Sequence, residues 1–388
     1  MSNSDAAGKA QTSDAWAAVA SLALGTFALV TSELLPIGLL PHIAADLQVA
    51  PGIAGLSITG PGLMAALATP MLVSGFGRLD RRIPLLLLAT TLVVSNIVVA
   101  MAPTITMLLV GRLVLGIGVG GFWAVGAAAA GRLAPSAPGR ATALVFGGIS
   151  GGTVIGLPVG AFLGGLFGWR LAFLGAAVLC GLSLLAQGIL IPKLPAPPVP
   201  NLRALPAFVR KHQVAVGLSA VALVIIGQFT AYTYVVPYLG NAGASQGMVS
   251  GVLMAYGAAG LVGNTICGEF AQRSAHRLLV LIGLLLGVLL LLAPLAAGST
   301  ILAAAIVVAW GLVFGGVPVT LQIYMFKAAP DSPDAAGAVF VSTFQLALAA
   351  GAWLGGVVVD HSGLNPAMWV GGTIVLAMAL VVKLFACR

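Results

Sequence analysis

The chain has 388 residues, of which 60% are hydrophobic and 7% charged, against roughly 45–50% and 25% in soluble domains. An ordinary globular protein is excluded, and a membrane protein is indicated. The net charge of +8 does not mark a nucleic-acid surface, because the basic residues are not clustered with interleaved aromatics.

Residues 1–14 are polar and lack the regions of a cleavable signal, so they are expected to form a cytoplasmic tail, with the first helix as its own targeting signal. A hydrocarbon core of about 30 Å needs about 20 apolar residues per helix. Segments of this kind lie near 15–40, 55–79, 84–101, 104–131, 141–166, 171–191, 214–239, 248–270, 278–297, 301–325, 338–359 and 367–385. The expected architecture is all-α, with about twelve membrane helices in two pseudo-symmetric bundles, 15–191 and 214–388. Between them the stretch 192–213 is rich in proline and basic residues, which no single membrane helix tolerates, and is expected to be a cytoplasmic linker. With the N-terminus inside, all of the 17 Lys and Arg except Arg112 and Arg170 fall at cytoplasmic ends or loops, as the positive-inside rule requires.

The 52 glycines suit close helix packing in lipid. Gly116-x-Gly118-x-x-Gly121 matches the dinucleotide fingerprint but lies inside an apolar helix with no strand before it, so that reading is rejected and no cofactor is expected. Cys180, Cys267 and Cys387 lack paired spacing, His42, His212, His276 and His361 lie at span ends or in loops, and no Ser-His-Asp grouping is present. Neither a disulfide, a metal site nor an enzyme is indicated.

Residues 111–169 recur 195 positions along the chain without a gap: Gly116, Gly120 and Gly121 fall on Gly311, Gly315 and Gly316, and Gly156, Gly160 and Gly168 on Gly351, Gly355 and Gly363. The loop GFGRLDRR (75–82) has a counterpart in GEFAQRSAHR (268–277). Repeated membrane halves are a mark of secondary transporters, whose solute site lies between them.

These stretches carry a specific resemblance. The loop GEFAQRSAHR is similar to the signature between the second and third helices of each half in the major facilitator superfamily. Arg112 with Gly116 and Gly120 resembles that superfamily's fourth-helix motif. Gly152-x3-Gly156-x-Pro158-x-Gly160 resembles the fifth-helix motif of its proton-coupled antiporters. The resemblance implies the twelve-helix transporter fold and, with no charged sugar or phosphate clamp visible, the drug and metabolite efflux group. SELLPIGLL, GRLVLGIGVGGFWA, GQFTAYTYVVP and QLALAAGAWLGG are similar to the bacterial purine ribonucleoside efflux pumps, in a pattern shared with arabinose-type sugar efflux proteins and small multidrug exporters. The function so implied is proton-coupled export of a small neutral metabolite across the bacterial inner membrane by a monomer with both termini cytoplasmic. A receptor or scaffold on the same fold is the alternative from another class.

Glu33 and Arg112 are the two charges deep in expected spans, about 10 and 12 Å below the same ends of their helices. A charge there costs ~3 kcal/mol or more, so it faces a cavity or a partner. Either Glu33 carries the coupling proton under the influence of Arg112, or the two form a fixed ion pair. Candidate solute contacts are Gln228 and Tyr232, four apart on one helix face, with Gln345, Trp123, Ser150 and Asn264. Packing or helix-to-helix hydrogen bonding is the alternative for each. In the resembling family the acid of the loop pairs with basic residues across the halves. Asp80 and Arg81 match it, Phe76 departs from its opening glycine, and in the second copy Arg273 fits while Gln272 replaces the acid.

Overall fold

The computed structural model describes residues 14–75, 79–195, 209–329 and 333–386, all helix and connecting turns. Most of the expected N-terminal tail, Phe76 and the central part of the expected linker lie outside these residues. The first part of the chain contains α1 (Trp16–Asp46), α2 (Pro51–Gly75), α3 (Arg82–Ala100), α4 (Ile105–Leu133), α5 (Pro138–Gly151), α6 (Leu157–Phe167) and α7 (Trp169–Leu190). The second contains α8 (His212–Tyr232), α9 (Val235–Asn241), α10 (Gln246–Leu292), α11 (Thr300–Ala328), α12 (Pro333–Ser362) and α13 (Leu364–Phe385).

Eleven helical stretches among the described residues are long and apolar enough to cross a membrane. One of them, Gln246–Ala296, has 51 residues, about 75 Å at 1.5 Å per residue and more than twice the hydrocarbon thickness. Ser274 interrupts it with φ −154° and ψ 82°, inside the charged stretch GEFAQRSAHR. It is therefore two crossings, which makes twelve among the described residues. Two other crossings are divided more gently. A π-helical turn at Gly152–Gly156 joins α5 to α6. Pro158 explains it: the ring lacks an N–H and crowds the carbonyl four residues back, Val154, so the ladder widens. Pro237 does the same to Thr233, where α8 gives way to α9.

The 195-residue repeat holds at the level of contacts. A Cβ on Gly116 would strike Pro61 and one on Gly311 would strike Tyr256; Gly120 lies against Ala65 and Gly315 against Gly260. Gly156 lies on Thr31 and Gly351 on Ile226; Gly160 lies on Leu35 and Gly355 on Thr230. In each case both partners shift by 195. The helix boundaries shift with them: Thr104 caps α4 and Ser299 caps α11 through the side-chain oxygen, which satisfies an otherwise orphaned amide. Gly168 and Gly363 end α6 and α12 with φ of 92° and 93°, a left-handed conformation that favours glycine.

We call the end of the molecule where α1 begins and α13 stops the terminal face, and the opposite end the distal face. Arg170, an exception to the distribution of basic residues, lies on the distal face, where it pairs with Asp46 and stacks 4.3 Å over the Trp169 ring. The two sets of helices meet along α2 with α12, and along α6 and the turn 152–156 with α10. Three hydrogen bonds between described residues join them. Gly52 N donates to Asp360 Oδ1 at 2.8 Å, Gln246 Nε2 to the Ala161 carbonyl at 3.5 Å, and Gln345 Nε2 to Glu33 Oε1 at 3.1 Å. All lie between the distal face and the level of Glu33.

Candidate functional site

Arg112 on α4 is fully buried and uses its guanidinium on backbone oxygens. Nε donates to Ser57, Nη1 to Ser32 and Nη2 to Glu33, each at 2.7 Å. Two of these carbonyls are available for a covalent reason. Ser32 O should accept from residue 36 and Ser57 O from residue 61, and both positions are proline, which has no N–H to give. The planar guanidinium fills the two gaps at once and ties α4 to α1 and α2. Gly116, one turn further along α4, allows this approach by packing directly on Pro61.

The carboxylate of Glu33, 7% exposed, faces the other half, where it accepts the bond from Gln345 on α12, 3% exposed. Among the described residues Glu33 and Arg112 form no ion pair within 4 Å, so a fixed pair of that kind is not what joins their helices. The guanidinium is nonetheless next to Glu33, whose backbone carbonyl accepts from Nη2 at 2.7 Å. Behind them Ser32 Oγ accepts from Asn96 Nδ2 at 2.9 Å and lies 3.5 Å from Cys180 Sγ, so α1, α3 and α7 share a polar contact that the sequence reading did not single out.

Gln228 is placed otherwise than a free solute ligand would be. Its Nε2 donates to Tyr256 Oη at 2.9 Å and its Oε1 accepts from Trp310 Nε1 at 2.7 Å, with no exposed surface. Tyr232 stacks on Tyr256 with centroids 4.7 Å apart and meets Trp310 edge-on at 5.7 Å. α8, α10 and α11 are thus locked by an aromatic cluster around one amide. Its hydroxyl at Tyr232 has no hydrogen-bond partner. Tyr256 and Trp310 were not foreseen; both are single aromatics in apolar runs with no spacing signal.

The remaining candidates are dispersed. Trp123 lies 6.3 Å from Phe146 and borders a small gap with Thr26 and Ile149, on the terminal side of Arg112. Ser150 is half-buried just before the π-turn, and Asn264 is exposed on α10. In the loop, Asp80 Oδ1 accepts from the amides of Leu194 and Arg82, each at 2.9 Å. Those donors hold its carboxyl below the usual range, and neither belongs to the second half. Arg81 is buried, with its amide on Leu194 O, while Arg273 is exposed beside the Ser274 break.

Residues 22–352 match the Major Facilitator Superfamily. The chain belongs to this superfamily. Among relatives of the superfamily member described here, the Pseudomonas aeruginosa protein called transcription regulatory protein OpdE is 35% identical over 96% of this chain and 94% of its own. The purine ribonucleoside efflux pump NepI of Escherichia coli K12 is 34% identical over 95% of this chain and 93% of its own. The crystal structure of a D-xylose-proton symporter superposes with a TM-score of 0.77 at 17% identity, covering 96% of this chain and 97% of that one. A partially occluded inward open structure of the E. coli xylose transporter XylE gives 0.74 at 16%, with the same coverage. The protein is a multi-pass membrane transporter of the major facilitator fold.

Within that fold, the Gly152, Gly156, Pro158 and Gly160 stretch is the backing of α1. Gly148, Gly152, Gly156 and Gly160 lie against Thr26, Val30, Thr31 and Leu35 in turn. A row of every fourth residue drifts by about 40° per step on a straight α-helix, since four residues turn about 400°. The π-turn advances less per residue and brings the row back onto α1, the helix that carries Glu33.

Proposed function

We propose that this transporter exports a small neutral metabolite, purine ribonucleosides first, in exchange for protons across the bacterial inner membrane. It acts as a monomer with both termini cytoplasmic. The halves 15–191 and 214–388 alternate access about the Glu33 level, joined by the linker 192–213. The observation that carries this reading is the buried Glu33 carboxylate, which sits between the halves and bonds across them to Gln345. A lone ionisable group in that place titrates only when one side or the other admits water, which is what coupling requires.

The terminal face is then the cytoplasmic one, and the structure corresponds to the conformation closed toward the outside. Ionised Glu33 accepts from Gln345 and helps to hold that closure, while Arg112, anchored on carbonyls, supplies a fixed positive charge. A solute entering from the cytosol offers hydroxyl or amide groups to Gln345 and Glu33, with Tyr232, Trp123, Ser150 and Asn264 as further contacts and Gln228 supporting the aromatic wall. Its binding replaces the bond between the halves, and they part on the distal side. There Glu33 takes up a proton, the solute leaves, and the proton is released to the cytosol after return. One proton crossing 100 mV supplies ~2.3 kcal/mol, enough for roughly a 50-fold gradient of a neutral solute.

Glu33→Gln is the decisive test in inverted vesicles with an acidified lumen, supplied with labelled nucleoside from outside, where export is read as accumulation. Uphill export and its pH dependence should vanish while solute exchange persists; uphill, pH-driven export by this variant would overturn the assignment of the proton carrier. Arabinose-type sugars and drugs are the competing cargoes, and the same vesicles rank them. A non-transporting regulatory role, favoured by the name of the Pseudomonas relative, predicts no flux of any cargo and no effect of Glu33→Gln.

A further inference from the structure

A cavity of about 400 Å³ lies between the halves on the distal face. Its wall on α1 runs from Gly38 to His42, about 7 to 13 Å along the helix from Glu33, and neither Glu33 nor Gln345 lines it. The first half contributes His42 from α1 and Ala161 from α6; the second contributes Asn241, Gln246 and Ser250 from α9 and α10. Two of its polar atoms are buried and have no hydrogen-bond partner among the described residues: Ser250 Oγ, on a residue only 7% exposed, and His42 Nδ1. Buried polar groups are nearly always satisfied, so a polar occupant is called for. The volume is that of a small-molecule site rather than of a single water. Val236, Val249 and Pro41 give it apolar walls, and no Asp, Glu, Lys or Arg lines it among the described residues. A charged ligand would therefore be desolvated without a counter-charge.

We propose that this cavity is a second solute subsite, for a neutral hydroxylated or amide-bearing molecule of about nucleoside size. The bound molecule takes hydrogen bonds from or gives them to Ser250, His42 and the amides of Asn241 and Gln246. It bridges α1 and α6 on one side to α9 and α10 on the other. Those surfaces separate when the distal face opens, so occupation favours the closed conformation. Solute accumulated on the distal side thereby slows its own export, a consequence that rests on the transport reading.

The test uses Gly240→Cys as reporter, at an exposed cavity-lining position with open space for a side chain, in purified full-length protein whose Cys180, Cys267 and Cys387 are replaced. Adenosine and D-ribose are the probes, and the rate of maleimide labelling is the readout. Both probes should slow labelling. Ser250→Val with His42→Phe, or the milder Ser250→Ala, should raise the concentration needed by 5- to 150-fold, as loss of a buried polar contact does. Gln345→Ala, which removes a central contact and loosens the closure, should shift that concentration by less than the distal substitutions and leave protection in place. Absence of protection by either probe, protection indifferent to all three distal substitutions, or protection abolished by Gln345→Ala would each overturn the subsite. Intact protection by molecules that the wild-type protein does not export would leave the subsite standing and sink the nucleoside assignment instead.

Discussion

At the level of single residues, the role of Arg112 follows from two prolines. Arg112→Met leaves the Ser32 and Ser57 carbonyls buried and unpaired, at about 1–3 kcal/mol each, and should lower the thermal midpoint in detergent. Pro36→Ala and Pro61→Ala return an N–H to each carbonyl, so the triple variant should be less destabilised than the sum of its parts. Additive losses in that cycle would show that the arginine acts elsewhere. Gln345 and Gln228 should separate in a similar way. Gln345→Ala should weaken apparent solute affinity about 5- to 150-fold with little loss of stability. Gln228→Ala orphans the Trp310 indole N–H and should cost stability, about 1–3 kcal/mol. Glu33 and Arg112 were legible in the sequence because charges are rare in lipid, and Gln345 because its amide lies mid-span. The partners of Arg112 were legible too, through the two prolines, but only once a neighbouring helix was known to reach them. The saturation of Gln228 was not, since nothing in an apolar run announces which aromatic will face it.

The elements themselves could be read far more completely, because crossings in lipid are long and apolar and their packing surfaces are glycine rows. What periodicity could not reveal was where a crossing breaks. The interruptions at Gly152–Gly156 and at Thr233–Tyr234 come from Pro158 and Pro237, and prolines in membrane helices are often absorbed without a break. The glycines also divide into two kinds with opposite expected behaviour. Gly156 is filled by Thr31 of α1, and Gly156→Leu should force the helices apart, with loss of both stability and transport. Gly175, on α7, has open space where a Cβ would go. There Gly175→Ala should be neutral or stabilising by up to about 1 kcal/mol, the helix-propensity difference. Thermal unfolding of the two variants checks both signs.

For the whole molecule, the closure on the distal face rests partly on Asp360, which receives the first free amide of α2 at Gly52, a helix start that favours negative charge. Asp360→Asn keeps the size and removes the charge. It should raise the labelling of cysteines placed along α2 near Gly55 from the distal side, and an unchanged rate would deny the carboxylate this role. On the terminal face Asp80 titrates too low to matter at ordinary pH. Its carboxyl is depressed by two amides, so its contribution is complete above the unfolded value of about 3.9 and fades only as pH falls through the folded one. Asp80→Asn should accordingly leave the shape of the transport profile between about pH 5 and 8 unchanged, whereas Glu33→Gln should flatten it. A cysteine at Arg203, outside the described residues, should resist impermeant reagents in intact cells if the linker is cytoplasmic. The placing of Glu33 near the middle of α1 has a mechanical meaning as well. It lies 13 residues from Asp46 and 17 from Trp16, lever arms of about 20 and 25 Å. Swinging the halves by about 10° around that level would move the two ends of α1 by about 3–4 Å each, yet displace an atom 3 Å from the fulcrum by only about half an ångström. The carboxyl would thus keep its position while the direction from which water reaches it is exchanged.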